Sequence, residues 1–194
     1  MSQTEESYVQ LTFEDLKAED SAVEEEYSQS LKGNLQIAEE EPKANKSKYP
    51  PFLNWDKTNP QFKTLFFPRK DPEGNLNTGK IVYKVYLPEL EGKNKNIAHD
   101  TLEEFESDER YINRKDVDQK PKLRYYVYVV ELTPNGNVGY IWDMAKTKYL
   151  TIFTEYLDKN TRVLSIKPAK DAKDAPIVKI PTDAQLKALI PSSK

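Results

Sequence analysis

Cysteine is absent from this sequence, which removes disulfides, thiolate metal sites and cysteine nucleophiles from consideration. Histidine occurs once, as His99. The six glycines are scattered through turn-like stretches and form no phosphate-cradling loop. No run approaches the roughly 20 apolar residues of a membrane span, and the N-terminus MSQTEESYVQ lacks the basic, apolar pattern of a secretion signal. The expectation is a cytoplasmic protein with no membrane partner. Large apolar residues are also scarce. Only 37% of the chain is hydrophobic while 31% is charged, so part of it should be solvated rather than packed. The 194 residues suffice for one well-buried domain with appendages, and hardly for two domains.

Catalytic chemistry finds little support. Carboxylates are plentiful, but no spacing places two of them in a pocket. His99 has Asp100 and Glu103 nearby at helical spacing, a trio that a solvated acidic helix explains without a metal. An enzyme, a cofactor and a metal are therefore not expected.

Charge is divided unevenly along the chain. Residues 1–48 carry twelve carboxylates and five lysines, a net −7, whereas the remainder is net +4. This acidic arm has capping-box spacing at Thr12–Asp15 and at Ser21–Glu24, and Gly33 is placed to end a helix running from about Ala22 to Lys32. Helices this short need the body or a partner to order them. We divide the chain into an arm and linker, 1–48, part disordered or in short helices, and a body, 49–194.

The body reads as mainly β. Strands are expected at 63–67, 80–87, 123–132, 138–142, 161–167 and 175–180, with turns at Asp71–Gly74, Asn77–Gly79 and Pro134–Asn137. Tyr149, Ile152, Phe153, Tyr156 and Leu157 recur at helical spacing with one apolar stripe, and Thr182 with Gln185 announces a last short helix. Residues 89–121 are a polar insertion whose middle could form a short helix anchored by Leu102, Phe105 and Tyr111. This order suggests an OB-like, partly open barrel of five to six strands with one packed amphipathic helix; an SH3-like barrel or another α+β roll are alternatives.

Strand alternation points to a surface. Lys80, Lys84 and Tyr86 share one strand face, and Arg124, Tyr126 and Tyr128 share another on what would be a neighbouring strand. Cations that track phosphates, interleaved with rings on which bases stack, are what single-stranded nucleic acid binding requires. The same alternation also fits an ordinary wet face with good strand formers.

The succession KLRYYVYVVEL, turn, GYIWDMAK and helix TKYLTIFTEYL, preceded by KTLFFPRK, resembles the core of the bacteriophage single-stranded-DNA-binding, helix-destabilising proteins over roughly residues 60–180. The resemblance implies an oligonucleotide-binding barrel in the host cytoplasm that coats single-stranded DNA during replication or recombination. Tyr86, Arg124, Tyr126 and Tyr128 match its binding face. The insertion lacks the cysteines of the zinc site that such proteins often carry, and the acidic segment here is N-terminal rather than C-terminal. Such an arm would compete with phosphates and dock replication or assembly proteins, so deleting residues 1–48 should raise single-strand affinity most at low salt. The rival readings are a viral structural, assembly or interaction protein with no nucleic-acid role, and a carbohydrate or small-ligand barrel using Trp55, Trp142 and the tyrosines as platforms.

Overall fold

The longest strand, β5 (Lys122–Thr133), has partners along both of its edges. The computed structural model describes residues 8–16, 21–37, 50–92, 94–158, 160–171 and 174–190. A two-residue turn, Pro134–Asn135, returns β5 into β6 (Gly136–Ala145), and the pair stays in register from Thr133 opposite Gly136 to Arg124 opposite Ala145. Gly136 opens β6 with φ of 133°, a conformation that side-chain-bearing residues rarely adopt.

The other edge of β5 is divided. β2 (Lys63–Phe66) pairs with Glu131 and Val130, and β3 (Lys80–Tyr86) pairs with residues 122–126. Between them the Asn77 side chain stands in for a strand. Its amide accepts from the Tyr128 N–H at 2.9 Å and donates to the Tyr128 and Pro68 carbonyls, both at 2.7 Å. Outward from these, β2 pairs with β7 (Val163–Lys167) and β7 with β8 (Ile177–Lys179), while β3 pairs with β4 (Asn96–His99). On the far side a two-residue β1 (Tyr8–Val9) borders β6. All eight strands are antiparallel in one sheet, and no pairing among the described residues closes that sheet on itself.

Strands appear in all six expected regions. The expectation passed over β1, which is too short to show a period, and β4, whose Asn-Ile-Ala-His lies within the polar insertion.

Both faces of β5 are covered from Tyr125 to Leu132, as the apolar content of both sides there requires. The odd face, with Tyr125, Val127 and Val129, meets Trp142, Phe67, Leu65 and the helical segment after β6. That segment begins as α4 (Lys146–Leu150) and widens into a π-helical turn, Thr151–Tyr156. Tyr149 is sandwiched between Tyr125 at 4.0 Å and Phe153 at 4.5 Å, its hydroxyl donating to the Thr78 carbonyl, and burial pushes that hydroxyl's pKa far up.

Helix α1 (Ser21–Ile37) packs on the same face; the insertion contributes α2 (Glu103–Glu106) and α3 (Glu109–Ile112), and the last helix is α5 (Asp183–Leu189). Gly33, expected to stop α1, lies inside it, because Asn34 beyond it is held by the carbonyls of Thr78 and Gly79 at 3.0 and 2.8 Å. Tyr27 is buried against Arg162, whose guanidinium sits over its ring, and Glu24 pairs with Arg69. The Thr12–Asp15 capping spacing forms its reciprocal bonds, but around a turn rather than a helix.

The insertion has a core of its own. Ile97 and Phe105 join Val85 and Leu87, with Tyr83, Leu90 and Tyr111 packed alongside. Asp108 caps α3 and accepts from His99.

Candidate nucleic-acid interface

Antiparallel pairing puts directly opposed residues on the same face. Lys80 lies opposite Tyr126 and Val82 opposite Arg124, so β3 and β5 are neighbours and Lys80, Lys84, Tyr86, Arg124, Tyr126 and Tyr128 all occupy one face. The register adds Lys122, opposite Lys84, and Asp143, opposite Tyr126 on β6.

This face is divided into a covered end and an open one. At the covered end Tyr128, only 5% exposed, and Val130 and Leu132 are sealed by Leu16, by Val9, Leu11 and Phe13 of the N-terminal segment, and by Leu186, Leu189 and Ile190 around α5. Burial raises the Tyr128 hydroxyl pKa, and its ring lies so close to β6 that a Cβ on Gly139 would come within 2.9 Å of it. The covering comes from the two ends of the chain. The helix at 146–156 lies on the opposite face.

Tyr126 sits at the boundary, 7% exposed, with the Phe52 ring edge-on at 5.2 Å. Beyond it the face is open. Tyr86 is 53% exposed, Lys122 is exposed, and Phe52 is 43% exposed with the Lys84 ammonium 5.7 Å above its ring.

The cations of the open end are partly neutralised. Asp143 accepts from Lys84 Nζ at 2.7 Å and from Arg124 Nε at 2.6 Å, and Lys80 pairs with Asp100 at 3.0 Å. Four cations against two carboxylates leave a net positive surface bearing two open rings. Such a surface can take an anionic, ring-containing chain by loose electrostatics and stacking. Among the described residues no three His, Asp or Glu side chains group as a metal site, and no helix is long and apolar enough to cross a membrane.

Three participants escaped the sequence reading. Lys122 has the same parity as Arg124 and was legible from alternation alone. Phe52 was not, because its place depends on a bridge to Ile141, nearly ninety residues away in sequence. Asp143 was equally hidden, being recognisable as a counter-charge only once the β5–β6 register is known. No protein-family model, curated protein or solved structure matches this chain.

Proposed function

We propose that this protein binds single-stranded nucleic acid, DNA in the first instance, on the open end of the β3–β5 face, coating strands during replication or recombination. The observation that carries the reading is the cross-strand register, which assembles Lys80, Lys84, Tyr86, Lys122 and Arg124 into one patch beside Phe52. In this reading Tyr86 and Phe52 stack bases, Lys122 and Lys84 follow phosphates, and Tyr126 and Tyr128 form the floor that supports them. An OB-like, partly open barrel belongs to the same proposal. Its support is that one edge of β5 is divided between β2 and β3, as a strand bending between the two halves of a barrel would be.

The test is a labelled oligothymidine titrated over a salt series. Binding should weaken linearly in log affinity against log salt, with a slope of about −0.7 per phosphate contacted. Lys122→Ala should reduce the slope by roughly one such contact, and Tyr86→Ala should cost about 1–3 kcal/mol while leaving the slope alone. Absence of binding at low salt would overturn the proposal. Asp143 and Asp100 favour a second reading, an interaction or assembly protein, because they offset half of the patch's positive charge while two rings stay exposed. That reading expects a protein partner to bind at the patch with little dependence on salt.

A further inference from the structure

The segment Pro51–Trp55 runs beside β6. Leu53 N–H donates to the Ile141 carbonyl at 2.8 Å and Ile141 N–H donates to the Pro51 carbonyl at 2.9 Å. Extended backbone sends alternate side chains to opposite sides. Phe52 accordingly turns to the open end described above, while Leu53 enters the main core and Trp55 packs on Trp142 at 5.5 Å. An exposed ring, Phe52, and a partly buried one, Trp55, are thus only three residues apart on opposite sides of one sheet border.

Trp55 is also a shared wall of two adjoining clefts. The smaller, about 160 Å³, is lined by Asn54, Trp55, Lys148, Pro168 and Asp143, the same carboxylate that holds Lys84 and Arg124. The larger, about 580 Å³, lies between Trp55 and the β7–β8 connection and is lined by Lys57, Lys167, Lys170, Pro60 and Ile177. Its one carboxylate, Asp56, is occupied by the N–H groups of Thr58 and Asn59 and the Thr58 hydroxyl, which hold its pKa below the usual range. Unlike Lys80, Lys84 and Arg124 of the open end, Lys57, Lys167 and Lys170 have no carboxylate partner among the described residues. A flat indole beside three unpaired ammonium groups fits a base and its flanking phosphates.

We propose that the larger groove is a second seat for the same single strand, which crosses the β6 border between Phe52 and Trp55, stacks a base on Trp55 and places phosphates against Lys57, Lys167 and Lys170. This rests on the single-strand reading and adds a path to it.

The test uses the full chain and an oligothymidine of about 15 nucleotides, within the range of lengths such proteins cover. Lys57→Gln combined with Lys170→Gln changes two exposed residues, so the thermal melt should not move. The salt slope should become shallower by about 1.4, two single-strand phosphate contacts, and affinity at low salt should fall about tenfold or more. Tryptophan emission of the parent should be partly quenched at saturation, since Trp142 is buried and Trp55 is the more exposed of the two indoles. If Lys122→Ala weakens binding while the groove variant keeps the parent's slope and affinity, the second seat is wrong and the open end stands alone. A groove that instead receives an acidic peptide would give that same result. If the parent binds no oligothymidine at any salt concentration, the functional reading itself fails and the second seat with it.

Discussion

A single side chain, that of Asn77, closes the gap on the edge of β5 that neither β2 nor β3 reaches. It is 4% exposed, and its three bonds satisfy both main-chain groups of Tyr128 and the Pro68 carbonyl. Asn77→Ala would therefore leave a buried N–H and a buried C=O of Tyr128 without a partner, in a strand with tight packing on both faces. Unmade buried bonds cost about 1–3 kcal/mol each, so the loss should be about 2–4 kcal/mol once some relaxation is allowed. A thermal melt should show Tm falling by roughly 2–4 °C for each of those kcal/mol in a chain of this size. A melt within a degree of the parent would mean that Tyr128 finds its partners elsewhere. In the sequence Asn77 was legible only as a turn former beside Gly79, since its second use depends on contact with a residue 51 positions away.

At the scale of elements, the insertion is held to β4 by a cluster with a defined pH response. Asp108 accepts from Arg110 through both carboxylate oxygens and from His99 Nε2 at 2.8 Å, and the Arg110 bond is the largest influence pulling its pKa well below the usual carboxylate range. A carboxyl with a lower pKa folded than unfolded adds stability that is fully present above its unfolded value, about 3.9, and is lost as pH falls toward the folded one. Acid should thus loosen α2 and α3 from β4. Protection of the amides of residues 96–112, taken relative to their intrinsic exchange rate at each pH, should fall in the parent between about pH 4 and pH 2. Asp108→Asn should remove Asp108's share of that dependence while also lowering protection at pH 7. Protection that stays constant over that window in the parent would rule the clasp out.

The insertion also shows how much of each element the sequence made readable. Alternation marks β3, a run of strand formers with apolar residues on both faces marks β5, the turn beyond it marks β6, a helical stripe marks the segment after β6, and a capping box announces the last helix. β4 escaped because a four-residue edge strand with one buried isoleucine carries no period. The face of β5 with Arg124, Tyr126 and Tyr128 was read correctly as one surface beside Lys80, Lys84 and Tyr86. Its division into a covered and an open end was not readable. The cover is Leu16 and Leu186, nearly the full chain apart, and nothing local in either segment specifies the other.

For the whole molecule, that cover changes which part of the arm bears on binding. Residues 1–48 looked separable from the body, yet α1 lies within the main core through Tyr27, Arg162 and Asn34. Removing residues 1–48 should abolish a cooperative melt, because it strips one wall from that core. The segment that bears on the proposed binding is shorter. Residues 1–16 carry four carboxylates and no cation, and the described part, Tyr8–Leu16, lies over the same face that presents Lys84 and Arg124 at its other end. Its hold is modest. β1 pairs over two residues, and among the side chains of this segment only Leu16 is fully buried. Truncation to residue 17 should lower Tm by several degrees through the loss of Leu16 and its partly buried neighbours, since a buried leucine contributes about 1.5–3 kcal/mol. It should also uncover Tyr126 and Tyr128 and raise the local positive potential, so oligothymidine affinity should increase. The gain should be largest at low salt and shrink as the Debye length falls from about 30 Å at 0.01 M to about 10 Å at 0.1 M. A truncated chain that still melts cooperatively but binds with the parent's affinity at every salt concentration would show that the segment is only part of the fold. A gain that persists undiminished at high salt would assign the effect to the uncovered rings instead of the lost charge.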